Sequence, residues 1–283
     1  TVCWISASKI VLSTFFYLSA LICYIQYMRN SKWQYLLASV VSSILAMGCK
    51  EQSVIIVPCL LLFDWMLFKR NMRSLKVYIE KVYYLIPAIA IFIVTLVANK
   101  NTGEEIIGYT IVDRFIFLCY SVFKYLLISA IPFKLSYLYP FPFQVGEKIP
   151  MALWIYPFVI LFIGYVIYLY RRKTLLVFGT LFFILHLLPV LHVIPLPRYV
   201  VAADRYLYIP YIAFAIGLLS YHLYERQRKW ILYAGFLYCS YLCVYTASYA
   251  PAWKNSDTLK EHFKEVLKKR ETNLSINYKN EKQ

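Results

Sequence analysis

The spacing of charged residues limits what this chain can become more than any other feature. No charge lies between Ile10 and Met28. At about 1.5 Å per residue, a helix over that run crosses the hydrocarbon core of a bilayer. Comparable apolar runs follow at Trp33–Cys49, Ser53–Phe68 (with Asp64 near its end), Val82–Ala98, Ala152–Tyr170, Thr174–Leu191, Tyr206–Tyr224 and Trp230–Ala250. Short charged knots close them, such as Arg29/Lys32, Lys50-Glu51, Arg171-Arg172-Lys173 and Glu225–Lys229. Helices satisfy their own backbone hydrogen bonds in lipid, so these runs predict an all-α, polytopic transmembrane bundle of about eight spans over residues 1–250. Apolar residues make up 61% of the chain and charged ones 16%. A water-soluble domain could not cover its surface with so few polar groups.

The net charge is +16, from 30 Lys and Arg against 14 Asp and Glu. In a soluble chain that balance would point to nucleic acid. Here the cations gather at the ends of apolar runs, where the positive-inside rule and anionic headgroups account for them. Membrane lipid, not nucleic acid, is the expected partner. The seven cysteines, Cys3, Cys23, Cys49, Cys59, Cys119, Cys239 and Cys243, lie mostly inside apolar runs without a CxxC pair. They read as small buried hydrophobes, with no metal site among them. The chain starts at Thr1 with no signal peptide in view, and reads as an N-terminally truncated fragment.

Arg114–Ile131 is apolar but carries Lys124 in its middle and is followed by Pro132. If it spans, the cluster Lys69, Arg70, Arg73, Lys76, Lys81 and the knot Arg171–Lys173 fall on opposite sides of the membrane. If it lies along the surface, every strongly basic short loop is cytoplasmic. Positive-inside counting therefore predicts an interfacial or re-entrant helix on the outer face. The alternative is a ninth span with Lys124 paired inside the bundle. The interfacial reading puts Thr1–Lys9, Lys50–Ser53, Asn99–Met151, His192–Arg205 and the tail outside the cytoplasm. It collects there the aromatic stretch Tyr137–Phe143 and the proline-rich stretch Ile194–Tyr199. Residues 251–283 form the extracytoplasmic tail. Within it Ser256–Arg270 repeats Leu259, Phe263, Val266 and Leu267 at helical spacing, predicting a short soluble amphipathic helix.

Candidate chemistry gathers on that outer face. Asp204 and Arg205, followed by Tyr206, stand at the mouth of a span, where ionisable residues are costly and hence functional candidates. Arg205 offers a fork of donors suited to phosphate or carboxylate, and Asp204 could hold it or bind a hydroxyl. Lys50 and Glu51 sit between two spans on the same face, suited to a phosphate and to sugar hydroxyls. His192, near Arg198 and Arg205 in sequence, is the better site candidate of the two histidines around Pro189; His186 reads as a bundle-interior histidine with a hydrogen-bond partner. Asp64 reads as a helix-end acid or a partner for Lys69. No P-loop, nucleophile elbow or dinucleotide fingerprint is present.

Taken in order, Val2–Lys9, Cys49-Lys50-Glu51-Gln52, Tyr139-Pro140, Ala203-Asp204-Arg205-Tyr206-Leu207-Tyr208-Ile209-Pro210 and Trp253-Lys254-Asn255-Ser256 make a pattern. It resembles the transmembrane and tetratricopeptide-repeat-containing (TMTC) proteins and their bacterial relatives, over essentially the whole chain. That family is similar to the GT-C glycosyltransferases. The resemblance implies transfer of a sugar, in the eukaryotic members associated with protein O-mannosylation, from a polyprenyl-phosphate carrier to a protein or glycan acceptor. It implies transfer outside the cytoplasm, at a bacterial inner membrane or one like that of the endoplasmic reticulum. It also implies tetratricopeptide repeats after the tail, a catalytic acid on a loop upstream of Thr1, and no cofactor in this chain beyond a divalent metal in the full-length protein. It makes Arg205, Asp204, Lys50, Glu51, His192, Arg198 and Tyr206 the residues for lipid phosphate and substrate. Three other readings stand beside it: a non-catalytic membrane anchor for a repeat domain, an envelope-glycan polymerase or ligase, and a transporter. The last is disfavoured, because the charges sit at span ends and not deep within several spans.

Overall fold

Helices form where the sequence runs apolar, and the ends of those helices explain most of the architecture. The structure, a computed structural model, describes residues 8–98, 109–131, 139–191, 200–213, 228–253 and 258. The helices are α1 (Ser8–Asn30), α2 (Trp33–Cys49), α3 (Ile56–Met66), α4 (Leu75–Ala98), α5 (Ile111–Ala130), α6 (Ile155–Leu169), α7 (Thr174–Leu187) and α8 (Arg228–Tyr249), with short 3₁₀ turns at Glu51–Ile55, Met151–Trp154, Asp204–Leu207 and Ala250–Trp253. Among the described residues the one β pairing is a single antiparallel bridge, Tyr139 to Ala202.

Among the described residues three segments are long and apolar enough to cross a membrane: Ser8–Asn30, Leu75–Ala98 and Met151–Leu169. α2 and α7 are apolar but shorter. Met151–Leu169 is the least covered of the three by the rest of the chain, and Phe158, Leu161 and Phe162 are each more than 60% exposed. In water that would be prohibitive, whereas lipid tails are as apolar as leucine. Several boundaries differ from expectation. The run expected at Ser53–Phe68 breaks into a 3₁₀ turn and an α3 of 11 residues. α4 begins at Leu75 instead of Val82, and so draws Glu80 and Lys81 into a helix. α5 begins at Ile111, where Thr110 caps it: the Asp113 amide donates to Thr110 Oγ1 at 3.2 Å and the Thr110 amide to Asp113 Oδ2 at 2.8 Å. The tail helix expected at Ser256–Arg270 and most of the Tyr206–Tyr224 run lie outside the described residues.

α1 and α2 form the closest pair, turned by Ser31 at φ 54°. Their seam is small and polar. Ser39 Oγ donates to the Ala20 carbonyl at 2.7 Å and accepts from Tyr84 of α4 at 2.8 Å, while Ser13 Oγ donates to the Ala46 carbonyl at 3.0 Å and shares a 2.7 Å bond with Ser53. Small side chains let the backbones approach, and each hydroxyl finds a partner where no water is at hand. α4 carries Pro87 without interruption, the lost hydrogen bond being tolerated as it is in membrane helices.

At the far end of these helices the structure corrects the reading of Asp64. Its partner is not Lys69. Asp64 is fully buried, with Oδ2 2.6 Å from Lys81 Nζ and 3.3 Å from Arg70, and Oδ1 accepting from Tyr24 OH at 2.6 Å. Arg70 reaches both oxygens of Glu80, at 2.6 and 3.2 Å, and Tyr27 donates to Glu80 at 3.1 Å. The basic cluster is thus two populations. Arg70 and Lys81 turn inward onto two carboxylates, and Lys69, Arg73 and Lys76 stay exposed. The reversal is made at Lys69, whose φ of 49° is left-handed without a glycine; it lets the Arg70 amide reach back to the Asp64 carbonyl at 2.9 Å.

Candidate functional site

The segment 200–207 has little regular structure of its own and takes its shape from α5 and from the loop after it. The Tyr139 amide donates to the Ala202 carbonyl and the Val201 amide to the Tyr139 carbonyl, each at 2.9 Å. From α5, Ser121 Oγ donates to the Val201 carbonyl at 3.2 Å, and Tyr125 OH accepts from the Ala203 amide at 3.2 Å. Ser121 and Tyr125 are one helical turn apart, so both face the same strand-like segment. Val201, Ala202 and Ala203 are buried between them. The chain then turns at Asp204–Leu207.

This scaffold brings Asp204, Arg205 and Tyr206 together with two residues from other elements. Arg205 Cζ lies 4.9 Å from the Tyr206 ring centroid, and its Nη2 donates to Tyr206 OH at 3.3 Å. Lys124, in the middle of α5, places Nζ 5.0 Å from the Tyr139 ring centroid, and Asp204 is close enough to act on its charge. Lys124 therefore belongs to the same end of the bundle as the Asp204–Tyr206 turn. The sequence singled it out only as an oddity within an apolar run.

Lys50 and Glu51 pair with each other at 2.6 Å. Burial pushes the Glu51 carboxyl up, but Lys50 beside it, its own hydrogen bonds and the more distant Lys9 outweigh this and hold it below its usual range. The turn they occupy packs on α2, α3 and α4, whereas the Asp204 turn packs on α5. The two expected halves of one site are thus carried by different elements. His192 and Arg198 lie outside the described residues. His186 is interior, as expected: Nδ1 is 2.8 Å from the Phe182 carbonyl, which can only accept, so Nδ1 carries the proton and Nε2 accepts from Tyr17 OH at 2.7 Å.

The rings of α5 and of the Tyr139–Phe143 loop pack on one another. Phe117 lies 5.0 Å from Phe141, 4.8 Å from Phe143 and 5.0 Å from Tyr109, whose hydroxyl donates to the Phe143 carbonyl at 3.0 Å. An apolar groove of about 510 Å³ opens elsewhere, between α3 and α7. As to a metal, among the described residues no three His, Cys, Asp or Glu side chains converge.

No family model matches the chain, and neither does any curated protein or solved structure.

Proposed function

We propose that this chain is the membrane part of a glycosyltransferase-like protein that moves a sugar from a polyprenyl-phosphate carrier to an acceptor hydroxyl outside the cytoplasm. In this reading all eight apolar runs cross the bilayer, and α5 lies along its outer surface. The observation that carries the proposal is the convergence of Lys124, Asp204 and Arg205 at one end of the bundle, on a turn fixed by the Tyr139–Ala202 bridge and by two side chains of α5.

The chemistry follows from where charge grows. The bond between the sugar's anomeric carbon and the phosphate oxygen breaks, and the phosphate keeps the electron pair. A new bond forms to the acceptor oxygen, whose proton passes to the leaving phosphate or to water. Negative charge therefore builds on the leaving phosphate, and fixed cations there lower the barrier. Arg205 and Lys124 take that role. Lys50 is less suited to it, because Glu51 already matches its charge. Asp204 holds the two cations in register and accepts from a sugar hydroxyl. Tyr206 and Tyr139 keep the cation side chains extended along their ring faces.

Arg205→Ala, made in the whole protein in native membranes, should lower transfer at least 100-fold with insertion and expression unchanged, the size of effect seen when one preorganised donor to a developing charge is removed. Unchanged transfer would remove Arg205 from the site and favour the membrane-anchor reading, in which only the segments beyond the bundle matter.

A further inference from the structure

We propose that the groove between α3 and α7 holds the acyl chain of an anionic phospholipid, with its phosphate on the basic turn at one end of the groove. The groove has about 510 Å³ and mainly apolar walls: Pro58, Leu62 and Trp65 from α3, Leu181 and Leu185 from α7, and Met72 at one end. Phe63 and Phe178 pack edge to face at 5.2 Å behind it and fix the two helices. The eight residues from Pro58 to Trp65 make a slot about 10 Å long, room for the upper part of one acyl chain but not for a folded partner.

Met72 belongs to the turn between α3 and α4. Lys69 and Arg73 flank it, and Lys76 follows in the first turn of α4. All three are exposed, and among the described residues none is in an ion pair, while their neighbours Arg70 and Lys81 are held by Asp64 and Glu80. No acid lies between Trp65 and Ile79. An apolar slot therefore ends at three uncompensated cations. A lipid with a net negative headgroup matches both features. A zwitterionic lipid matches only the slot, and a free phosphate matches only the turn. The inference needs no transfer chemistry and stands apart from the proposal above.

Trp65 lines the groove and is 56% exposed, which makes it a reporter. A chain keeping Trp65 as its sole tryptophan would be placed in vesicles containing dibrominated phosphatidylglycerol or, at equal mole fraction, dibrominated phosphatidylcholine. Bromine quenches on contact. Phosphatidylglycerol should quench at a several-fold lower mole fraction, and each of Lys69→Gln and Arg73→Gln should cut that preference about five-fold. Leu181→Phe, which fills the slot, should weaken quenching by both lipids alike. Native mass spectrometry of the unaltered protein from mixed micelles should likewise retain phosphatidylglycerol and lose it in the Lys69→Gln/Arg73→Gln pair. Equal quenching or equal retention of the two lipids, or a preference that survives the double substitution, would overturn the proposal.

Discussion

At the scale of single residues, the buried quartet Asp64, Arg70, Glu80 and Lys81 is where the energetics are sharpest. Two acids and two bases balance, with Tyr24 and Tyr27 supplying further donors. Removing one charge leaves its partner stranded at low dielectric, which costs about 3–5 kcal/mol, whereas removing a matched pair into apolar residues of similar size is often neutral. Lys81→Met should therefore lower the thermal unfolding midpoint in detergent markedly, and Asp64→Leu/Lys81→Met should recover most of the loss. Had the quartet been only a set of surface charges, the two variants would behave alike. None of this pairing was legible in the sequence. Lys81 reads there as one more cation in a cytoplasmic cluster, because the cue that singles it out is the early start of α4 and not any local motif. His186 was legible, since a lone histidine in an apolar run must have its ring nitrogens satisfied.

At the scale of elements, α5 decides the shape of the candidate site. It is capped by Thr110 and Asp113, it packs on α6, and through Ser121 and Tyr125 it holds the segment that leads to Arg205. Loss of an N-cap typically costs about 1 kcal/mol. Thr110→Ala should raise amide hydrogen exchange in the first turns of α5 by about five-fold, and leave α1–α4 unchanged. An equal rise across α1–α4 would mean that α5 is not a separate unit. The apolar character of α5 and its odd lysine were visible in the residues, and Ala203–Tyr206 stood out as a candidate. That the two meet was not visible. Their contact joins residues about 80 apart through two hydroxyl bonds, and nothing in local periodicity reports a contact of that kind. The same limit explains the aromatic loop. Tyr139–Phe143 reads only as an aromatic stretch on the outer face, whereas its rings, on a short loop beside an apolar helix, pack on Phe117.

At the scale of the whole molecule, the described residues form an all-helical protein with three segments among them fit to cross a membrane. The proposed topology adds the remaining apolar runs and places the Lys69–Lys76 turn and the Arg205 turn on opposite faces. Single cysteines at Ser74 and Gln144, in a background with the native cysteines removed, should react with a membrane-impermeant maleimide from opposite sides of sealed vesicles. Labelling from the same side would require α5 to span as well, or α4 not to. The most direct test of the central proposal is turnover of the carrier itself. The intact protein in proteoliposomes would be supplied with a polyprenyl-phosphate-linked sugar and an acceptor peptide, and the release of polyprenyl phosphate followed with time. The account predicts release that depends on acceptor and is lost in Arg205→Ala and in Lys124→Ala. Release at the rate of empty liposomes, with the protein correctly inserted, would contradict it.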